Sequence, residues 1–385
     1  MSNYFSDKQV NLLAEAKSSK KYIHLKNENQ SLKDVMNLKN LNKMISMHNC
    51  WNQGNFSLVL DKNIIPFPKF STEGNDLGFT NISPDPIKVE NYIKKGASLV
   101  LNDLIYFSKE IRFLADDLQI ITNGKCQANL YFSMQSHKAF APHYDTHDVF
   151  ALHCEGEKVW NIYENFEQDP INHPIFKNSL DERTQKSGRI IDKILLKPGD
   201  LLYLPRGQFH DALASKNGAI HIAFGITYMK PLDLFQYYWE NYIVNEYFRS
   251  DIKELSSIDD VIKTHSKIGN EFNKIINNKD LYEHSLKFFQ KWPYKLVGYD
   301  IEKIVSDGVQ YQVSNKISIS EEGGKLFLVN EKHKVPVPDQ FLEIMKFTFN
   351  EKIISFKILK SNYPNLADET LDEFLTAMKN MKVFT

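Results

Sequence analysis

The chain of 385 residues is long enough for two or three domains, and its 42% hydrophobic and 25% charged residues exclude disordered and fibrous classes. The 47 Lys and Arg residues nearly balance the 48 Asp and Glu residues, and this net charge of −1 excludes a basic nucleic-acid-binding coat over the whole chain. Three scattered cysteines form no disulfide framework, and neither a signal peptide nor a long apolar run is visible. We therefore expect a cytoplasmic protein.

Helical and irregular signals alternate over residues 1–95. Ser31 is a candidate N-cap for a helix that continues to Met44, because apolar residues recur behind it at helical spacing. The two prolines of Asn63–Lys69 favour a loop, since proline cannot donate to a central strand. A second helix is predicted over Asn102–Leu118.

Short β-type runs separated by turn signals follow this second helix. The predicted strands are Gln127–Ser133, Asp148–Cys154, Glu157–Tyr163, Ile190–Leu196, Leu201–Leu204 and Ala219–Tyr228. This spacing is typical of an antiparallel sandwich or barrel. Glu155-Gly156 predicts a hairpin between two of the strands, and Pro198-Gly199-Asp200 predicts a type II turn.

Residues 231–300 return to a helical pattern, with Pro231 suited to a first helical turn. An aromatic and apolar stripe recurs at roughly helical spacing, formed by Leu234, Tyr237, Tyr238, Tyr242 and Val244. The stripe fits equally a helix that packs on its own domain and a dimer interface, where aromatic residues are enriched.

Residues 301–385 predict a small α+β module. Strands are expected at Gln310–Ser314 and Lys325–Val329, and helices at Pro338–Phe347 and Asp368–Met381. This order is compatible with a winged helix, but the 11 Lys and 12 Asp plus Glu residues give the module a net charge of −1. Direct DNA binding is therefore not expected, because a DNA reader needs clustered cations, and we predict a protein-interaction or scaffold module.

Three residues form the most informative constellation of the sequence. His143 and Asp145 are two positions apart, so in extended backbone their side chains leave from one face, and His210 follows a predicted turn. Two imidazoles and a carboxylate make the facial triad of non-heme Fe(II) oxygenases, which leaves coordination positions open. The pair alone is a weak signal, but its place at the head of a strand series strengthens it.

Lys158 is the second informative residue, because it shares a predicted strand face with Trp160 and Ile162. It is either a surface lysine on a half-buried strand or an ammonium that binds an anion inside the barrel, since a buried lysine is costly without a partner. The neighbouring strands alternate in the same way, with Asn129 and Tyr131 on one polar face and His221 on another.

Three joined motifs resemble the JmjC ribosomal oxygenases, which are 2-oxoglutarate-dependent protein hydroxylases of the cupin class. The motifs are His143-Tyr-Asp-x-x-Asp148-Val-Phe150, Glu155-Gly-Glu-Lys158-Val-Trp160 and Lys197-Pro-Gly-Asp-Leu-Leu-Tyr203-Leu-Pro-Arg-Gly207-x-x-His210. The resemblance implies an α+β chain. Its expected parts are a JmjC double-stranded β-helix with N-terminal helices over 1–230, a helical dimerisation segment over 231–300 and a winged-helix-like module over 301–385.

The resemblance also implies roles for single residues. It makes His143, Asp145 and His210 the Fe(II) ligands and Lys158 the anchor of the cosubstrate 2-oxoglutarate. It places Asn129 and His221 beside the cosubstrate and Tyr131 in the substrate cleft. A small polar residue that holds the substrate in animal members aligns near Gly225, so this chain departs from the family there.

The expected function is Fe(II)- and 2-oxoglutarate-dependent hydroxylation, with O₂, of a His or Arg side chain in a protein. The suspected substrate is a ribosomal protein. The enzyme is expected to be a homodimer. Hydroxylation of a small biosynthetic peptide and lysine demethylation use the same chemistry and stay open as alternatives. A non-catalytic cupin that senses a small ligand is an alternative from another class, although a binding barrel has no need of an open iron face.

Overall fold

A computed structural model describes residues 4–26, 30–76, 79–134, 141–176, 179–252, 256–291, 305, 308–330 and 333–384. The chain divides into two compact units, Met1–Leu296 and Val297–Thr385. The helices between residues 231 and 290 belong to the first unit, and the proposed boundaries at 230 and 300 remain predictions. Within the described residues, no helix combines the length and apolar character that a membrane span needs.

Antiparallel strands build most of the first unit. They are β1 (Ile23–Leu25), β2 (Phe56–Leu60), β3 (Asn63–Ile64), β4 (Ser71–Asp76), β5 (Phe79–Pro84), β6 (Ser98–Leu101), β7 (Lys125–Ser133), β8 (Asp148–Phe166), β9 (Ile190–Leu196), β10 (Leu201–Leu204) and β11 (Gln208–Thr227). Nine of them pair in the order β1-β10-β8-β11-β7-β6-β2-β3, with β9 also on β8, while β4 and β5 form a separate hairpin. The predicted barrel-type, antiparallel architecture is confirmed.

The two long strands β8 and β11 join two layers of the barrel. The first half of β8 pairs with β10 and with the second half of β11, which in turn pairs with β7. The second half of β8 pairs with β9 and with the first half of β11. Each long strand therefore contributes to both sheets, and the space between the two sheets is the interior of the barrel.

The hairpin predicted at Glu155-Gly156 is wrong, because β8 continues through it. Gly156 has a φ of +69° and faces Gly218 of β11, whose φ is +80°. A Cβ atom on Gly156 would overlap the carbonyl oxygen of Gly218. The two glycines lie where the register between β8 and β11 shifts, between Ala214 and Ala219, and pairing resumes on both sides. The turn signal therefore marks a bend rather than a reversal.

Six helices surround the strands: α1 (Asp7–Ser19), α2 (Gln30–Lys33), α3 (Leu38–Ile45), α4 (Pro86–Lys94), α5 (Lys109–Thr122) and α6 (Leu180–Lys186). The single helix predicted from Ser31 to Met44 is two helices, because Asn37 has extended backbone and its side chain accepts from Asn40 N as the N-cap of α3. The helix predicted over 102–118 begins later, since Ser108 caps α5.

Alternate side chains of the strands supply two separate cores. The outward residues of β11 pack with α5 in the larger core, and Ile222, Phe224 and Leu114 are fully buried there. The inward residues form a smaller core between the sheets, with Ala151, Trp160 and Leu202 among its members. Polar residues at inward positions of these same strands therefore face a protein interior instead of water.

Within the described part of residues 231–291, four helices follow the barrel: α7 (Pro231–Val244), α8 (Glu246–Arg249), α9 (Ile258–Ile276) and α10 (Lys279–Gln290). Tyr242 of the predicted stripe is buried and stacks on Phe272 of α9. Four large apolar side chains of α7 are 41–59% exposed, namely Leu232, Phe235, Trp239 and Ile243, and the ring of Phe235 also lies 5.8 Å from that of Phe272. The predicted stripe therefore packs partly within its own unit, and these four side chains form an exposed apolar stripe beside it.

The second unit is a small α+β module with its own core. Its elements are β12 (Gln310–Gln312), β13 (Ser318–Glu322), β14 (Lys325–Val329), β15 (Lys334–Pro336), α11 (Leu342–Glu351), β16 (Ile353–Ser355), α12 (Phe356–Asn362) and α13 (Asp368–Asn380). β13, β14 and β15 form one sheet, and β12 pairs with β16. Leu359, Leu371 and Phe374 are fully buried in the core. The winged-helix-like character of the module stays a prediction.

Candidate metal and cosubstrate site

Backbone hydrogen bonds place the two ligand-bearing segments side by side. His143 N donates to His210 O at 3.0 Å, and His210 N donates to His143 O at 2.8 Å, so a β-bridge joins these residues. Gly207 N also donates to Asp145 O at 3.0 Å. The segment that carries His143 and Asp145 is thereby held against the start of β11, although 67 positions separate the two histidines in sequence.

The three predicted ligands converge. One ligand atom from each of His143, Asp145 and His210 lies within 4.8 Å of the others. The Nδ1 atoms of His143 and His210 lie 2.8 Å and 2.9 Å from the carbonyl oxygens of Ala141 and Gln208. A proton on each Nδ1 satisfies these carbonyls and leaves both Nε2 lone pairs free, which is the arrangement that orients histidine ligands of metals.

The charges of the triad also suit a cation. Burial, and then the nearby His143 imidazole, lowers the pKa of His210 to about 4, so this ring is neutral at physiological pH. Burial opposes ionisation of Asp145, but the imidazoles of His210 and His143 outweigh it and lower the pKa of the carboxyl. A carboxylate beside the neutral imidazole of His210 suits a divalent metal, because metal ligands bind in their deprotonated forms.

Aromatic side chains hold the triad from the barrel interior. The Trp160 ring stacks on His210 at 5.5 Å between centroids and meets His221 edge-on at 5.4 Å. Trp160 is 4% exposed, so it fixes the positions of both imidazoles while it excludes water from that side. The sequence showed only that Trp160 shares a face with Lys158; its contact with the candidate ligand His210 depends on the pairing of β8 with β11.

Lys158 points into the barrel, as the second interpretation of its strand requires. It is 5% exposed, and its Nζ lies 3.2 Å from Nδ1 of His221. Burial lowers the pKa of Lys158 to about 7 and, together with the Lys158 charge, lowers that of His221 far below its ordinary value. Lys158 is therefore the donor and His221 the acceptor, and the ammonium forms no ion pair with a described residue.

Tyr131 and Asn129 occupy neighbouring positions on β7. The Tyr131 ring stacks on His221 at 4.8 Å, and burial raises the pKa of its hydroxyl to about 12, so it remains protonated. The Asn129 side chain hydrogen-bonds to the Tyr131 hydroxyl and accepts from Asp103 N at 3.2 Å. Asn129 thus acts on the cavity through Tyr131, and the direct cosubstrate contact expected for Asn129 remains a prediction.

These residues surround one cavity of about 370 Å³. The described residues that line it are Tyr131, Ser133, His143, Tyr144, Asp145, Val149, Lys158, Trp160, Arg183, His210, Ala212, His221 and Ala223. The structure therefore unites the predicted triad, Lys158, His221 and Tyr131 in one space. Arg183 lay outside every sequence motif, because nothing local relates α6 to the barrel interior.

Gly225 is close to a histidine that the sequence left unassigned. A Cβ atom on Gly225 would lie 2.6 Å from Nε2 of His147, so His147 fills the space that a side chain at 225 would need. Neither residue lines the cavity as described. At Gly225, where this chain differs from the family pattern, the imidazole of His147 therefore occupies the volume that a side chain would fill.

The fold and the site together define a JmjC domain, and the JmjC domain family matches residues 104–234, which include the whole triad and Lys158. The predicted resemblance is confirmed at this level. The chain is 30% identical over 189 residues, or 47% of its length, to the bifunctional lysine-specific demethylase and histidyl-hydroxylase NO66 of Dictyostelium discoideum. It is 30% identical over 123 residues, or 32% of its length, to ribosomal oxygenase 2 of Bos taurus.

These matches span 36% and 25% of the two relatives' own lengths. Among solved structures, that of Escherichia coli ycfD superposes with a TM-score of 0.53 at 16% identity, and the alignment covers 100% of this chain and 99% of that one. Such a likeness shows a shared fold. The activity of this chain is argued from its own site below.

Proposed function

We propose that this chain is an Fe(II)- and 2-oxoglutarate-dependent oxygenase that hydroxylates a side chain of a protein. The observation that carries the proposal is the convergence of His143, Asp145 and His210 on one cavity with the buried, ion-pair-free Lys158. A metal-binding triad explains the histidines and the carboxylate, and an anionic cosubstrate explains the lysine. The matched JmjC domain covers all four residues.

The donor set fits a ferrous ion. Two imidazole nitrogens and one carboxylate, each from a short and backbone-fixed segment, form a three-ligand face that leaves positions for other ligands. When bound, Fe(II) supplies the activation of O₂ that oxidation of a C–H bond requires. The protein keeps His143 and His210 in the tautomer that presents Nε2, through their bonds to Ala141 O and Gln208 O.

Lys158 is the residue proposed to bind the terminal carboxylate of the cosubstrate. A dicarboxylate that reaches from the triad to the buried end of the cavity would meet an ammonium that lacks a carboxylate partner. His221, held by Tyr131 and Trp160, keeps the ammonium in place through its 3.2 Å contact with Nζ. The contact is charge-assisted, and 2-oxoglutarate has the required terminal carboxylate.

The remaining wall of the cavity restricts what can react. Val149, Ala212 and Ala223 are small apolar residues that leave room without offering hydrogen bonds, and Trp160 closes one side. Such a wall excludes water from the reacting centre and limits which C–H bond can approach it. The chemistry itself comes from the cofactors, and these residues position them.

We infer a ribosomal protein as the substrate, with a His or Arg side chain as the target. Support comes from the names of the relatives, which include a histidyl-hydroxylase and a ribosomal oxygenase. Lysine demethylation is the second candidate, because the name of the first relative includes it. The triad disfavours a pure ligand sensor, since a binding barrel does not need a three-ligand metal face.

The test has two parts. The purified chain with Fe(II), O₂ and ascorbate, the two-electron reductant that takes the place of a protein substrate, should convert 2-oxoglutarate to succinate and CO₂, whereas Asp145→Ala should not. Intact-mass spectrometry of ribosomal proteins from cells with and without the gene should then show one protein heavier by one oxygen atom. Succinate formation without any such mass change would refute the ribosomal substrate and leave the oxygenase assignment standing.

We further infer a homodimer through α7–α10 and a cytoplasmic location. The dimer is supported by the exposed stripe of Leu232, Phe235, Trp239 and Ile243, which is larger than isolated surface residues explain. The location is supported by cysteines that are all free, including the exposed Cys50, as in a reducing compartment.

A further inference from the structure

The charges that line the cavity are unevenly distributed. Among the described lining residues Asp145 is the only carboxylate, and it belongs to the triad. Two cationic side chains, Lys158 and Arg183, line the same space. Lys158 is buried and is assigned to the cosubstrate, so the partly exposed Arg183 is left without a role in the proposed function.

Arg183 is held in place by its surroundings. It lies on α6, whose N-cap Ser179 accepts from Glu182 N and whose first turn is closed by a capping box. The end of the helix is tied to β8, because Asn165 donates from N to Ser187 O at 3.2 Å and from Nδ2 to Lys186 O at 2.7 Å. Arg183 is thus attached to the same strand that carries Lys158.

The approach to α6 is tied to the metal-binding segment as well. Tyr144, which lies between the ligands His143 and Asp145, donates its hydroxyl hydrogen to Phe176 O at 2.8 Å. The Tyr144 ring packs edge-on against Phe209, the residue before the third ligand, at 5.0 Å. The residues before α6 and the triad segment are therefore in direct contact through Tyr144.

Among the contacts of the described residues, the Arg183 guanidinium has donors to spare. Its hydrogen bond runs from Nε to Ser179 O at 3.4 Å, and no carboxylate of the described residues lies within 4.0 Å of it. By contrast, Arg189 pairs with Glu164 at 3.1 Å and Arg206 pairs with Asp169 at 2.8 Å. A planar guanidinium with free N–H groups is suited to a two-pronged contact with a carboxylate.

We propose that Arg183 is a specificity-determining residue that binds the carboxylate of an Asp or Glu beside the target residue of the protein substrate. This inference rests on the proposed function and names the substrate class. Like charges repel in a partly buried site, so Arg183 also opposes a cationic target such as arginine or methyl-lysine and favours an uncharged target such as neutral histidine.

Peptide binding to the full-length chain tests the proposal. Two fluorescein-labelled peptides would share a central His and differ only in their flanking residues, which are Asp in one and Lys in the other. Fluorescence anisotropy should show the Asp peptide binding about three- to tenfold more tightly, as expected for one partly exposed charge pair. Arg183→Gln should remove the preference, and Arg183→Glu should invert it.

Arg189→Glu is the matched control, because it makes the same charge change six residues away on an ion-paired and 78% exposed side chain. It should keep the wild-type preference. Thermal melts would show that each variant folds, and Arg183→Gln gives a reading even if Arg183→Glu does not fold. The proposal is overturned if neither peptide binds, if Arg183→Gln keeps the preference, or if Arg189→Glu alters it equally. Because binding is read without turnover, a failure of the proposed oxygenase activity would be seen separately, in the succinate assay.

Discussion

The Lys158 ammonium and Nδ1 of His221 lie 3.2 Å apart between two paired strands, and this contact makes the lysine a donor with a neutral acceptor instead of half of an ion pair. The charge of Lys158 is therefore left for a ligand to neutralise. The low pKa of His221, caused by burial and by the Lys158 charge, keeps the imidazole in its acceptor form.

Replacing Lys158 should weaken binding of 2-oxoglutarate without loss of the metal. A charge-assisted hydrogen bond contributes about 1.5–3 kcal/mol, so the apparent Kd in Lys158→Met should rise about ten- to a hundredfold. Calorimetric titration of the metal-loaded chain measures the change. Lys197→Met is the control, since this lysine is 64% exposed and lies 3.9 Å from Glu157. An unchanged titration in Lys158→Met would assign the anchor to another residue.

The affinity for 2-oxoglutarate should also fall with rising pH. Burial lowers the pKa of Lys158 to about 7, so the ammonium that binds a carboxylate is lost above that pH. Between pH 7 and pH 8 the apparent Kd should rise about fivefold. Burial keeps the pKa of His153 and of His210 at about 4, so neither ring titrates in this range. Lys158→Met should show a flat profile, and an equally steep profile in that variant would contradict the assignment.

Loss of a triad member should remove the metal. Asp145→Ala leaves two imidazoles, and His143→Ala leaves one imidazole and the carboxylate, so each variant has an incomplete ligand set. Elemental analysis after incubation with Fe(II) under nitrogen should show stoichiometric metal in the wild type and little in either variant. His173→Ala, an exposed histidine on the loop before α6, should bind as the wild type does. Stoichiometric metal in both triad variants would place the ion elsewhere.

Gly156→Ala should destabilise the barrel strongly. A residue at φ +69° costs about 1–2 kcal/mol when it carries a Cβ, and overlap with Gly218 O adds about 1–3 kcal/mol of overpacking. Chemical denaturation should therefore report a loss of about 2–5 kcal/mol in the free energy of unfolding. Gly269→Ala in α9, where nothing lies within 4 Å, should be neutral or stabilising. Equal effects from the two substitutions would show that the bend is not constrained.

The exposed stripe of α7 should mediate dimerisation. Trp239 is 59% exposed, and Trp239→Glu places a charge in the middle of the stripe, so the variant should be monomeric at micromolar concentration. Light scattering with size-exclusion chromatography measures the mass. Ile120→Glu on α5 is the control, because Ile120 is 80% exposed but lies outside the stripe. A monomeric wild-type chain would refute the dimer.

The strands that sequence reasoning placed correctly are those with local turn signals. Ile190–Leu196 and Leu201–Leu204 match their predicted bounds, because a Pro-Gly-Asp turn separates them and each shows a pattern of its own. The strands at 148–163 were divided wrongly. Whether Gly156 reverses a strand or bends it depends on Gly218, which is 62 positions away and invisible to any local pattern.

In the site, too, local patterns predicted some residues, and contacts between distant segments determine the others. Spacing and turn signals were enough to select His143, Asp145 and His210, strand alternation selected Lys158, and the joined motifs added their roles. The stacking of Trp160 on His210 depends on the pairing of β8 with β11, and the position of Arg183 depends on the bonds that tie α6 to β8. Those contacts form between segments that are distant in sequence, so periodicity and motif spacing cannot predict them.

The carbonyl groups of Ala141 and Gln208 orient both histidine rings without help from an ion. A set of ligands that is already in place does not select a metal ion by folding around it. Nickel, copper and zinc ions all bind nitrogen and oxygen donors with higher affinity than ferrous iron. On the proposed function, metal supply in the cell is therefore expected to influence which ion occupies the triad. Iron starvation or zinc excess would be expected to fill the protein with an ion that cannot activate oxygen, and purification without added iron would be expected to yield a mixed population.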